Sequence, residues 1–167
     1  MNGRLEIESV FGQGSTFRAI VPYLSVENQR EEKDRFIGNF TPISNTKIRI
    51  LLVEDNRINQ IIIKKMLDKL VLRCDIAADG YECLEMIETT NYDCILMDLN
   101  MPGINGIETC RRIRNNTNLA YSPRIIAITA NVLEEDEEQG LEAGMNGFLP
   151  KPITLTAMAE KINSVMK

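Results

Sequence analysis

From residue 48 onward the sequence alternates five short apolar runs with five stretches of helical length, and this alternation limits the fold more than any other feature. The runs are IRILLV (48–53), RCDIAA (73–78), CILMD (94–98), RIIAIT (124–129) and GFLP (147–150). Continuous apolar runs this short, rich in β-branched residues, suit strands covered on both faces, as in a parallel sheet. Helical stretches follow at 57–71, 80–90, 105–116, 131–143 and 154–166. In the first, Asn59, Ile62, Ile63, Met66, Leu67 and Leu70 fall on one stripe of an amphipathic helix. The expected class is therefore α/β, a doubly wound five-stranded parallel sheet.

Two further segments precede this region. Residues 1–24 place β-formers on either side of FGQGS, whose glycines mark a turn, so a two-strand hairpin is expected there. A lone hairpin is too small to hold itself together in water. Residues 25–46 begin with a dense mixed-charge run and end in Gly, Pro, Ser and Asn, which is linker composition. The folded domain is expected at 47–167.

Composition removes several chemistries. The chain has no histidine, which excludes Ser-His-Asp and Cys-His catalysis and every histidine metal site. Cys74, Cys83, Cys94 and Cys110 form no C-x-x-C pair and read as free, mostly buried thiols. The net charge of −5 lies entirely in residues 48–167, because residues 1–47 carry six basic and six acidic residues. An acidic domain with no basic stripe is a poor fit to direct nucleic-acid binding. No apolar run reaches membrane-spanning length and the N-terminus has no signal-peptide pattern, so a soluble, cytoplasmic chain without membrane contact is expected.

In an open α/β sheet, sites form outside the carboxyl ends of the strands. Glu54 and Asp55 follow the first run, Asp98 and Thr129 end the third and fourth, and Lys151 follows the fifth. Three carboxylates, a hydroxyl and an amine would thus meet on one rim. Carboxylates crowded together need a cationic partner to stay ionised. With oxygen donors alone, a hard divalent cation is expected, Mg²⁺ before others. Lys151 and Thr129 would then face a ligand bringing its own negative oxygens. A carboxylate held beside Mg²⁺ and a lysine is placed to attack phosphorus.

Residues 48–167 resemble the receiver domain of two-component signalling. The resemblance rests on ILLVEDN (51–56), LMDLNMPGINGIE (96–108), AITA (127–130) and FLPKP (148–152). Spacings agree too, with 43 residues from Asp55 to Asp98, 31 to Thr129 and 22 more to Lys151. VEDNRINQ (53–60) is most similar to receivers attached to hybrid histidine kinases. The resemblance implies a flavodoxin-like (βα)5 topology, with Asp98 as phosphoacceptor and Asp55 as direct Mg²⁺ ligand. It gives Glu54 a role through metal-bound water, and the Asn100 carbonyl a place among the ligands. Thr129 and Lys151 would bind phosphoryl oxygens, and Phe148 would swing inward as Thr129 moves. Asn100 and Asn131 occupy positions that tune dephosphorylation, and Lys151-Pro152 is expected to be cis. The donor implied is a kinase phosphohistidine, and a histidine phosphotransfer protein could take the group onward. The acidic run EEDEE (134–138) reads as a helix N-terminus that could also select basic partners.

Residues 1–24 in turn resemble the last two strands of a histidine-kinase ATP-binding domain, with GQGSTF (12–17) similar to its second glycine box. The family's other ATP-site elements and its phosphorylated histidine are missing, so ATP binding and autophosphorylation are not expected. The chain reads as the C-terminal piece of a hybrid kinase, with no output domain after Lys167. A phosphohydrolase of the haloacid-dehalogenase kind would need a second Asp at position 100, where this chain has Asn. A receiver-fold scaffold that is never phosphorylated would usually lack a site residue, and this chain keeps them all.

Overall fold

The computed structural model describes residues 4–10, 12, 14–20, 42–43, 45–130 and 134–167, side chains at 134–136 excepted. Two units are distinct, residues 1–38 and 39–167. In the first, β1 (Arg4–Val10) pairs antiparallel with β2 (Gly14–Ile20). The register sets Leu5 opposite Ala19 and Ile7 opposite Phe17, which gives this ribbon one apolar face. Leu5, Ile7 and Phe17 are nonetheless exposed. The hairpin expected at 1–24 is present over 4–20. Most of the 25–46 linker, and Asn131, lie outside the described residues.

The second unit runs β3 (Arg49–Val53), α1 (Arg57–Lys69), β4 (Arg73–Ala77), α2 (Gly80–Thr89) and β5 (Cys94–Asp98). It continues through α3 (Gly106–Asn115), β6 (Arg124–Thr129), α4 (Glu134–Glu142), β7 (Gly147–Pro150) and α5 (Leu155–Val165). The strands form one parallel sheet in the order β4-β3-β5-β6-β7. This is the doubly wound order with its topological switch between β3 and β5.

Strand alternation divides the core into two layers. Ile50 and Leu52 face one side with Leu96, Ile126 and Ile128, where Ile63 and Leu67 of α1 and Met158 and Ile162 of α5 cover them. Leu51 and Val53 face the other with Ile95, Met97 and Ile125, covered by Cys83 and Ile87 of α2 and Cys110 and Ile113 of α3. Both faces are dry, which is why the strands read as continuous apolar runs. Burial pushes the Cys83 and Cys94 thiols up to about 12, while Cys74 is half-buried.

Side-chain caps start the helices and correct the expected boundaries by a residue or two. Asn56 Oδ1 accepts from the Ile58 and Asn59 amides at the start of α1. Asp79 accepts from the Glu82 amide while Glu82 reaches back to the Ala78 amide, a reciprocal cap on α2. Asn105 and Thr154 cap α3 and α5 and so stand outside the helices that the sequence pattern assigned them to. Helix α1 ends at Lys69 because Val71 takes φ +60°, and Leu72 then joins the core.

A two-stranded ribbon with its apolar face in water is marginal. Amides of β1 and β2 are therefore expected to exchange with deuterium far faster than those of β3 and β5. Exchange of β1 and β2 as slow as that of β3 would show that their apolar face is covered.

Candidate functional site

All five strands point the same way, so their carboxyl ends share one rim. The β3–β5 register ends with Val53 opposite Met97, which brings Glu54 and Asp98 level across the switch point. Thr129 ends β6 and pairs with Pro150 of β7, and the Lys151 amide donates to the Thr129 carbonyl at 2.7 Å. Glu54, Asp98 and Thr129 are buried at 0%, 4% and 2% exposure, whereas Asp55 is exposed. Carboxylate oxygens of Glu54, Asp55 and Asp98 lie within 4.8 Å of one another.

Lys151 connects this cluster. Its Nζ donates to Asp98 Oδ2 at 2.7 Å and to Glu54 Oε2 at 3.0 Å. Partial burial disfavours the ammonium, but the hydrogen bonds and charges of Asp98 and Glu54 outweigh it and raise the Lys151 pKa above the ordinary lysine value. Against three carboxylates a single cation leaves the cluster at −2 when all are ionised. The geometry suits a hard cation with oxygen ligands, since one carboxylate faces solvent and the others sit within reach.

The loop after β5 is fixed from both ends. Asn100 N donates to Asp98 Oδ1 at 3.2 Å, Leu99 N to the Ile128 carbonyl, and Gly106 N back to the Leu99 carbonyl. A Cβ on Gly106 would collide with the Asp98 carbonyl oxygen, so only glycine lets α3 start this close. Phe148 is 7% exposed, its ring close over Gly140 of α4. The Lys151-Pro152 bond is cis, as expected.

Thus Glu54, Asp55, Asp98, Thr129 and Lys151 gather on the rim, with Asn100 beside Asp98 and Phe148 two residues inward of Pro150 on β7. Two neighbours were not singled out from the sequence. Asn59 Nδ2 donates to Glu54 Oε1 at 2.8 Å, and Gln60 Nε2 to the Glu54 carbonyl at 2.6 Å. The available signal was two adjacent amide side chains in the first turn of an amphipathic helix, shortly after the acidic pair.

The sequence profile of the response regulator receiver domain matches residues 50–163. The chain belongs to the receiver domain family. It is 35% identical over 164 residues to the aerobic respiration control sensor protein ArcB of Escherichia coli, a match covering 96% of this chain and 20% of that protein. It is 34% identical to the autoinducer 2 sensor kinase/phosphatase LuxQ of Vibrio parahaemolyticus, over 96% of this chain and 18% of that protein. The receiver thus spans about a fifth of the length of these relatives. Matches this long reach beyond 50–163 and take in the hairpin segment.

Among solved structures, the receiver domain of sensor histidine kinase PA1611 from Pseudomonas aeruginosa is 39% identical with a TM-score of 0.65, over 71% of this chain and 97% of that one. That structure holds a magnesium ion in its active-site cleft. A co-crystal of the Saccharomyces cerevisiae phosphotransfer protein Ypd1 with the Ssk1 receiver domain also matches, at 32% identity and TM-score 0.65, over 70% of this chain and 87% of that one. The chain is a two-component receiver, and the five-stranded fold expected from sequence is the family's fold. Among the described residues no helix is long and apolar enough to cross a membrane.

Removing the Lys151 charge leaves two nearly buried carboxylates without their shared partner. Lys151→Met is expected to lower the unfolding free energy at neutral pH by about 2–3 kcal/mol, discounted from the ~3–5 of a fully sealed pair because the lysine side chain is 25% exposed. The folded-state Lys151 pKa is raised, so its contribution is complete below the unfolded value of about 10.4 and fades as pH rises through the higher folded value. Urea unfolding of the two proteins from pH 7 to 11 checks both parts: the gap between them closes only at the alkaline end.

Proposed function

We propose that Asp98 is the phosphoacceptor of this receiver and that residues 47–167 act as a Mg²⁺-dependent phosphoryl switch. The observation that carries the proposal is the Lys151 ammonium bound to both Asp98 and Glu54, with Asp55 completing a carboxylate cluster of cation-binding size. Asp55 and Asp98 would hold the ion directly, Glu54 through water, and the Asn100 carbonyl would add a further oxygen. Bound Mg²⁺ would supply positive charge to the equatorial oxygens of the transferring phosphoryl group.

This chain's own residues do the rest. An Asp98 carboxylate oxygen attacks phosphorus in line as the bond from phosphorus to the donor nitrogen of a kinase phosphohistidine breaks, and the released imidazole takes up a proton. Lys151 then exchanges part of its contact with Asp98 and Glu54 for a phosphoryl oxygen. The Thr129 hydroxyl takes another, and Phe148 on the adjoining strand follows the movement of β6 and β7. Phosphorylation in this way biases two arrangements of one fold. The Ypd1 co-crystal supports a histidine phosphotransfer protein as a second partner. The hybrid sensor kinases among the relatives, and their match across the hairpin, support reading residues 1–24 as the end of a kinase ATP-binding domain. The scaffold reading draws no support from the site, where Glu54, Asp55, Asp98 and Lys151 stand together.

Incubation with a small acyl-phosphate donor and Mg²⁺ is expected to add one phosphoryl group, read by intact-protein mass spectrometry. Chelation of Mg²⁺ or Asp98→Asn should abolish the gain. A phosphoryl group that persists in Asp98→Asn would place the acceptor elsewhere.

A further inference from the structure

Asn59 makes a contact that the receiver chemistry above does not use. It lies in the first turn of α1, five residues after Glu54, and its Nδ2 donates to Glu54 Oε1 at 2.8 Å. The only other donor to that oxygen among the described residues is the Asn56 amide, at a longer 3.3 Å. The second oxygen, Oε2, accepts from Lys151. The Glu54 side chain is 1% exposed, so water cannot replace a lost partner easily. Gln60, the next residue, donates to the Glu54 carbonyl at 2.6 Å and fixes the backbone from which that side chain projects.

We infer that Asn59 is a positioning residue for the cation site, holding one oxygen of Glu54 so that the other stays turned toward Lys151 and the cluster. An amide suits this task because it donates a hydrogen bond without adding charge. A lysine here would neutralise Glu54 and compete with the cation, and an aspartate would repel it. The first turn of α1 is in turn held by the Asn56 cap, so the amide is set by the helix start rather than by a mobile side chain. Without Asn59, Glu54 keeps the charge but loses its strongest restraint on Oε1. The carboxylate is then free to rotate toward Lys151 with both oxygens, away from the side where a cation-bound water would sit. Partners that orient a metal's ligands in this way commonly change metal affinity by about 10–100-fold.

The inference rests on the cation reading proposed above, and the test separates the two. Mg²⁺ affinity is measured by calorimetry for the wild-type chain, Asn59→Ala, Glu54→Gln and the double variant, beside Lys65→Ala on the exposed side of the same helix. Alanine is a strong helix former, and thermal unfolding without metal reports whether each variant is intact. Asn59→Ala is expected to weaken Mg²⁺ about 10-fold, Lys65→Ala to change it little, and Asn59→Ala to have almost no further effect once Glu54 is glutamine. That last outcome is the signature of action through Glu54, which a merely structural role would not produce. A folded Asn59→Ala that binds Mg²⁺ as tightly as wild type overturns the inference and leaves the cation reading standing. An equal loss in the Glu54→Gln background also overturns it, since Asn59 would then act by another route. Failure of the wild-type chain to bind Mg²⁺ removes both.

Discussion

One lysine holds two carboxylates that the fold has nearly sealed from water. Lys151 stands between Glu54 and Asp98, and its ammonium offsets the cost of bringing two nearly buried acidic side chains level at the ends of β3 and β5. The arrangement is deliberately incomplete in charge. One cation faces three carboxylates, an excess of negative charge that a balanced ion pair would lack. Under the proposed function, the same lysine would turn to a phosphoryl group once a metal took over part of the neutralisation.

The parallel sheet makes this economical in sequence. Four of the five strands bring the site's groups to their carboxyl ends, and the helices between strands return the chain to the other rim. The acidic pair follows β3, Asp98 ends β5, Thr129 ends β6 and Lys151 follows β7, while Gly106 allows α3 to begin directly behind Asp98. The two apolar layers fix the rim from beneath. Every strand residue just below it, from Val53 through Met97 to Ile128, is fully buried, so the polar groups above are held on a rigid base.

The strands were legible because burial on both faces leaves mostly apolar runs, and the ends of four of the five runs gave the candidate site residues. Helix ends were less legible, since Asn105 and Thr154 satisfy amide groups by side-chain capping while carrying no helical pattern of their own. Val71 gave no warning of its left-handed backbone, because β-branched residues ordinarily avoid it. Asn59 was hidden for a different reason. It falls on the apolar stripe of α1 by spacing, yet its amide donates to Glu54 instead of joining the core. The role of Phe148 came from the family resemblance alone, as nothing in its spacing separates it from an ordinary core aromatic.

Backbone amide NMR through a Mg²⁺ titration tests the account at its centre, because it reports where a cation enters without presupposing the donor or the partner. The account predicts saturable shifts concentrated at 54–56, 98–101 and Lys151, with α1 near Asn59 responding alongside Glu54. Shifts confined to the opposite rim, or none above those of bulk ionic strength, would contradict it.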